Sequence, residues 1–221
     1  MLVTAIIVAM THSAWPLFHL RIRCGPAELR SVKESDLPLL ASIQPDDYEH
    51  NPRAEMLPGL DLAQNRDRLV YQDYWRAMGT WSPSSWTLQL AVEHSGAIVG
   101  VQSLEAEDFP TLRTVDSGSW LIASARGRGV GVAMRKAVLG LAFDHLEAVA
   151  AISSARRDNA ASLGVSRSIG YTDNGLSLND SGSGVVELQH MRLTNQQWRA
   201  AGHSSEVIVN GLTPCLPWFG R

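Results

Sequence analysis

Residues 125–137, ARGRGVGVAMRKA, set Arg126 and Arg128 among Gly127, Gly129 and Gly131, directly before a helical pattern. A helix N-terminus presents amides without intrahelical acceptors at the positive end of its dipole, which suits an anion. Glycine lets that anion approach the backbone closely. A well-placed arginine adds a charge-assisted bond of roughly 1.5–3 kcal/mol. The chemistry on offer is phosphate capture, and a pyrophosphate with two charges fits best. For this loop alone, a glycine-rich turn with solvated arginines stays open. The spacing Arg126, Gly129, Gly131 reads R-x-x-G-x-G and lies past mid-chain. A dinucleotide fingerprint would open the first βα unit and be followed by an acidic residue, so that site is disfavoured.

The elements around the loop follow from hydrophobic period and punctuation. PLFHLRIRCGPAELRSV reads as extended chain broken at Gly25-Pro26, and Ser35 as an N-cap for a short helix. Residues 44–59, with Pro45, Pro52 and Pro58, read as loop, and 61–78 as helix. WTLQLAVEHSGAIVGVQSL is a strand pair turning at His94–Gly96, and RTVDSGSWLIA is a further strand feeding the glycine loop. A helix from about 129 to 146 follows, then the strand AVAAISSA. DNAASLGVSRSIGY is a helix stopped at Gly170. Two strands and a helix capped by Thr194 with Gln197 come next, and an apolar tail is expected to pack on the body.

The chain has 221 residues, a net charge of −3, 45% hydrophobic and 19% charged residues. That suits one soluble domain and argues against nucleic acid as a partner, which needs a basic face. Cys24 and Cys215 are the only cysteines, and the seven histidines form no HxxxH pair. No metal and no disulfide framework are expected, and a reducing cytoplasm is the simplest setting. The apolar start MLVTAIIVAM is too short to span a bilayer. Residues 1–16 read as an extension, either an extra strand, a disordered tail or a start placed too early. Residues 17–221 read as one domain.

The glycine loop together with DNAASLGVSRSIGY, where Asn159 and Gly170 lie eleven apart, resembles the GNAT superfamily of acetyl-CoA-dependent N-acetyltransferases. GSWLIASARGRGVG and DNAAS…GY are most similar to its ribosomal-protein N-acetyltransferase (RimJ/RimL-type) branch. The resemblance implies an α/β fold, a mixed and mostly antiparallel sheet splayed between its fourth and fifth strands, with helices on both faces. It implies that acetyl-CoA lies in the splay. Leu121, Ile122 and Ala123 would pair with the pantetheine, and Arg126, Gly127, Arg128, Gly129, Val130, Gly131 and Val132 would cradle the pyrophosphate. Asn159 and Ser162 would complete the cofactor site. A homodimer is compatible with it.

The implied reaction is direct attack of a primary amine on the thioester in a ternary complex. An amine with pKa near 10 costs about 4 kcal/mol to deprotonate at pH 7, so a carboxylate base helps, whereas a hydrazide needs none. Asp116 falls where many members carry a glutamate, and Glu105, Glu107 and Asp108 are the neighbouring candidates. Each can equally be a solvated loop carboxylate. Where many members place a tyrosine acid this chain has Ser166, a departure. Ser162 matches a serine acid of the ribosomal-protein branch, or is a small residue packed near the cofactor. Tyr71, Tyr74, Trp75, Trp81 and Trp86 either wall the acceptor site for an aromatic or cationic amine or, more simply, belong to the core. The expected acceptor is a small-molecule amine. A protein N-terminus, or no acceptor at all in an acyl-CoA-binding regulatory module, are the alternatives.

Overall fold

The structure, a computed structural model, describes residues 14–48, 54–182 and 184–221. Most of the expected N-terminal extension, residues 1–13, and part of the 44–59 loop lie outside the described residues.

Among the described residues ten strands form two sheets. The first carries β1 (Arg21–Cys24), β2 (Ala27–Ser31), β3 (Trp86–His94), β4 (Ala97–Ala106), β6 (Ser119–Leu121) and β10 (Val207–Asn210) in the order β10-β1-β2-β3-β4-β6, all antiparallel. The second carries β5 (Thr114–Val115), β7 (Ala150–Arg156), β8 (Thr172–Asp180) and β9 (Val185–Thr194) in the order β5-β7-β9-β8. Only the β5–β7 pair is parallel.

Besides a four-residue turn of α-helix at Phe109–Leu112, the described α-helices are α1 (Leu37–Ile43), α2 (Leu62–Gly79), α3 (Val130–Gly140), α4 (Ala160–Ile169) and α5 (Asn195–Ala200). Alternation along β3 decides which cover which face. Leu88, Leu90 and Val92 join a core that includes Ala133, Met134, Ala137 and Val138 of α3. Ala91 points the other way and joins Leu37 and Leu40 of α1 and Tyr74 of α2. Helices therefore cover both faces, as the resemblance implied.

Local signals account for most element ends. Asp61 caps α2 and Gln64 returns the bond, a capping box; Thr194 and Gln197 do the same for α5. Gly170, at φ 108°, stops α4. Ser35 does not cap α1. Asp36 takes the amide of Lys33 at 2.8 Å and is gripped by both terminal nitrogens of Arg30, so the acid carries the ion pair and the start of the helix together. The helix expected from 129 to 146 is α-helical only to Gly140 and widens into a π turn over Leu141–His145. The tail supplies β10 against β1, and Cys215 and Phe219 are wholly buried.

Trp81 and Trp86 stack at 5.9 Å within a cluster that also holds Trp15, Phe109, Trp218 and Phe219. Trp81 Nε1 donates to Trp218 O, and Trp15 meets Trp218 edge-on at 4.5 Å, a contact that brings the two ends of the described chain together. Trp86 and Tyr74 are buried, whereas Trp75 lies half-exposed at the surface and donates to Glu34.

Candidate active site

The expected strand RTVDSGSWLIA keeps one register against β4 throughout. Glu105 opposes Asp116 and Gln102 opposes Ser119, then Gly100 opposes Leu121. Its first part, β5, also pairs with β7, but only at Thr114–Ala150 and Val115–Ala151. Beyond that point β6 keeps only β4 as a partner, while the rest of β7 pairs only with β9. A V-shaped gap therefore opens at Asp116, and the edge of β6 along it has no strand partner. An unpaired edge needs hydrogen bonds from elsewhere, which a ligand with amides can supply. Gly100 sets the depth of the β4–β6 contact: a Cβ there would lie 2.2 Å from the carbonyl oxygen of Trp120.

The far end of β6 runs into the glycine loop. Ala123–Ala125 make one 3-10 turn, and Gly129 is the N-cap of α3 with φ 78°. Gly127 has φ 72°, and a Cβ on either glycine would meet nothing within 4 Å. The turn is thus open on the side where an anion would approach, and its left-handed backbone favours glycine. Gly131 begins to pack: its Cβ position is 3.5 Å from Val165 of α4 and 3.9 Å from Leu121. These contacts bring β6, α3 and α4 to one place, with Val130 buried and Val132 half-buried beside them.

Arg128 is exposed beside this turn, but Arg126 is engaged. Its Nε donates to Leu121 O at 3.0 Å and its terminal nitrogens clamp both oxygens of Asp47 at 2.5 and 2.7 Å. The arginine holds Asp47 below the usual carboxylate range. Asn159 caps α4, accepting from the Ser162 amide at 3.0 Å. Ser162 is half-buried in the first turn of that helix, and Ser166, where the resemblance puts an acid, is buried.

On the face of the sheet covered by α1 and α2, a cleft of about 360 Å³ reaches β6. Leu37, Leu40, Tyr48, Asp73, Glu105 and Trp120 are among its lining residues. Tyr48 meets Trp120 edge-on at 6.3 Å. Burial, with the charges of Asp73 and Glu105, pushes the Tyr48 phenol up. The aromatic wall of this cleft is Tyr48 and Trp120, and none of the five residues Tyr71, Tyr74, Trp75, Trp81 and Trp86 lines it. Nothing local in the sequence singles out Tyr48 or Asp73, because their place depends on how α1, α2 and their connecting loop fold over β4.

The structure does bring Asp116 and Glu105 together. They oppose one another in a bridge closed by reciprocal bonds of 2.8 and 2.9 Å, which puts both side chains on one face. Ser103 donates to Glu105 at 2.9 Å. Asp116 Oδ1 accepts from the Ser117 amide at 2.6 Å. Burial, aided by the charge of Glu105, pushes the Asp116 carboxyl up to about 6, against the opposing pull of the Ser117 amide, Arg135 and His190. Glu107 and Asp108 lie past the end of β4 and are not among the residues lining the cleft.

A family model described as an acetyltransferase (GNAT) domain matches residues 27–172. The chain belongs to the GNAT acetyltransferases. Solved GNAT structures share the fold. Mycobacterium smegmatis RimJ, in a complex with CoA-disulfide, is 21% identical at TM-score 0.61 over 86% of this chain and 96% of its own. A candidate ribosomal-protein-serine acetyltransferase from Vibrio cholerae is 15% identical at TM-score 0.59, over 79% of this chain and 97% of its own. A spermidine N-acetyltransferase chimera from Vibrio cholerae and hSSAT is 13% identical at TM-score 0.59, over 79% and 99%. These neighbours include the RimJ-type branch that the motifs resembled. Among the described residues no helix is long and apolar enough to cross a membrane.

Proposed function

We propose that this GNAT enzyme moves the acetyl group of acetyl-CoA to a primary amine of a small molecule by direct transfer. The observation that carries the reading is the meeting of two sites at one edge. The unpaired edge of β6 and the open glycine turn lie along the gap, and the aromatic-lined cleft that carries Glu105 reaches the same strand from the other face. Leu121–Ala123 would take the amides of the pantetheine. Gly127–Val132, with Arg126 and Arg128, would take the pyrophosphate. Asn159 and Ser162, at the start of α4, would close the far wall.

Asp73 is paired with Arg76 on the cleft wall, which leaves Glu105 to give the cleft the sign that attracts an ammonium group, and Tyr48 and Trp120 offer π faces to a cation. Asp116, its carboxyl raised towards neutrality beside Glu105, is suited to take the proton from the amine, because a base is most effective near the working pH. Ser162 would hydrogen-bond the leaving thiolate. The nitrogen–carbon bond forms, the carbon–sulfur bond breaks, and the amine proton ends on the CoA thiol.

A peptide N-terminus is the second acceptor reading, and the RimJ and ribosomal-protein-serine acetyltransferase neighbours favour it. The discriminating experiment is a panel of polyamines, aryl amines, hydrazides and short peptides, scored by acetyl-CoA-dependent thiol release. Turnover confined to small amines is expected; turnover confined to peptides replaces the first reading with the second.

A further inference from the structure

The floor of the acceptor cleft changes character along the sheet. Three neighbouring strands, β3, β4 and β6, build it, and their register sets its residues in ranks. Thr87, Glu105 and Asp116 stand side by side in the first rank. Two residues on come Gln89, Ser103 and Gly118, and two further on Ala91, Val101 and Trp120. Residues two apart on a strand share a face, so the three ranks point the same way. The first is polar and acidic, the second neutral, the third apolar. At about 3.3 Å per residue, the first and third ranks are roughly 13 Å apart.

The two ends also differ in exposure. Glu105 is exposed, accepts from Ser103 and forms no ion pair among the described residues. The third rank is roofed: Ala91 clusters with the buried Leu37 and Leu40 of α1, and Val70 of α2, Val101 and Trp120 pack against that cluster. Tyr48 meets Trp120 at 60°, so two rings form a corner at this end. Between the ends the floor is low at Gly118, where a Cβ would lie 3.1 Å from Ser103 Oγ. One cation therefore finds a counter-charge here, at Glu105. A second ammonium carried to the roofed end would lose its water, and the π faces of the two rings offset only part of that cost. A flat apolar ring suits the corner, since it can lie against one ring and turn its edge to the other, the arrangements that aromatic pairs prefer.

We infer that the acceptor is an arylalkylamine, a primary amine joined by an alkyl tether to a flat ring, with the amine at Glu105 and the ring in the Tyr48–Trp120 corner, and that Tyr48 and Trp120 set this specificity. This rests on the reading that the cleft receives the amine for acetyl transfer, and it names which small amines the cleft selects. The tether lies over Ser103 and Gly118, where the floor carries no bulky side chain. The transfer is unchanged: the amine nitrogen bonds to the acetyl carbon, CoA leaves as thiol, and the ring takes no part in the bonds made and broken.

The test is kcat/KM by thiol release from the full chain at saturating acetyl-CoA, with phenylbutylamine, cyclohexylbutylamine, butylamine, spermidine and a short peptide as acceptors. Phenylbutylamine is expected to exceed cyclohexylbutylamine, which has the same tether and no aromatic ring, by about threefold or more, the scale of one aromatic contact. It should exceed butylamine and spermidine by about tenfold or more, the scale of burying one ring, with the gain in KM. Trp120→Leu keeps an apolar side chain and should erase the preference for phenyl over cyclohexyl. Tyr48→Leu, on a loop outside both sheets, should reduce it with less risk to the fold. Equal kcat/KM for the phenyl and cyclohexyl amines, or a better rate with spermidine or the peptide, overturns the inference while acetyl transfer stands. An aromatic preference that survives both substitutions also overturns it. No thiol release with any acceptor, from a chain that binds acetyl-CoA, overturns the inference and the transfer reading together.

Discussion

Asp116 carries the sharpest expectation at the scale of single residues. Its carboxyl, raised from 3.8 to about 6, must be ionised to act as a base, so turnover should fall as pH drops through about 6. Asp116→Asn should remove that limb and lower turnover most for amines of high pKa, with little effect on a hydrazide; equal loss for all acceptors would make the residue structural. The same shift sets a stability trend. Between 3.8 and about 6 the native chain keeps a proton that the unfolded chain has shed, so stability falls as pH rises through that window. Asp116→Asn should therefore raise the melting temperature at pH 8 more than at pH 4, which thermal scans would show. Ser162→Ala should lower kcat more than it raises KM for acetyl-CoA, because a hydroxyl beside sulfur acts on charge that develops during the reaction. Unchanged kcat across acceptors would assign the thiolate proton to water or to the amine.

Among the elements, the turn before α3 and the loop after α1 compete for Arg126. Gly129→Val forces a branched side chain into a left-handed backbone at the mouth of the cradle, and KM for acetyl-CoA should rise about tenfold or more, roughly 1.4 kcal/mol, in a chain whose circular dichroism is unaltered. Asp47→Asn acts in the opposite sense. The Arg126–Asp47 pair is solvent-exposed on both sides and so worth little to stability. Releasing the arginine should tighten CoA binding by about two- to fivefold at low salt, and less at high salt; weaker binding would mean that the clamp shapes the site. The glycine turn, the Gly170 stop and the Thr194–Gln197 capping box were legible in sequence because each is a local backbone requirement. The pairing of Glu105 with Asp116 was legible only as two candidates, since the register that joins them is a property of β4 and its partner. Tyr48 and Asp73 were not legible at all, while of the two readings open for the aromatics the simpler one, core, holds for Tyr74, Trp81 and Trp86; composition does not say which side of a sheet an aromatic ring meets.

Across the whole molecule, the tail closes the structure. β10 pairs with β1 across most of the chain length, and Phe219 packs on Trp81 and Trp86. Such long-range pairing leaves no local mark beyond apolarity. Phe219→Ala should cost about 3–5 kcal/mol, read as a shifted denaturant midpoint. Cys24 and Cys215 are buried, and burial pushes the Cys215 thiol up to about 11. Both should resist alkylation until the chain unfolds. The central claim, that gap and cleft meet to transfer an acetyl group to an amine, is tested most directly by following CoA thiol release and amide mass together, with acetyl-CoA and a cationic primary amine. Thiol and acetylated amine appearing in equal amounts, both reduced by Asp116→Asn, is the expected result; tight acetyl-CoA binding with no thiol released by any small amine or peptide would contradict it.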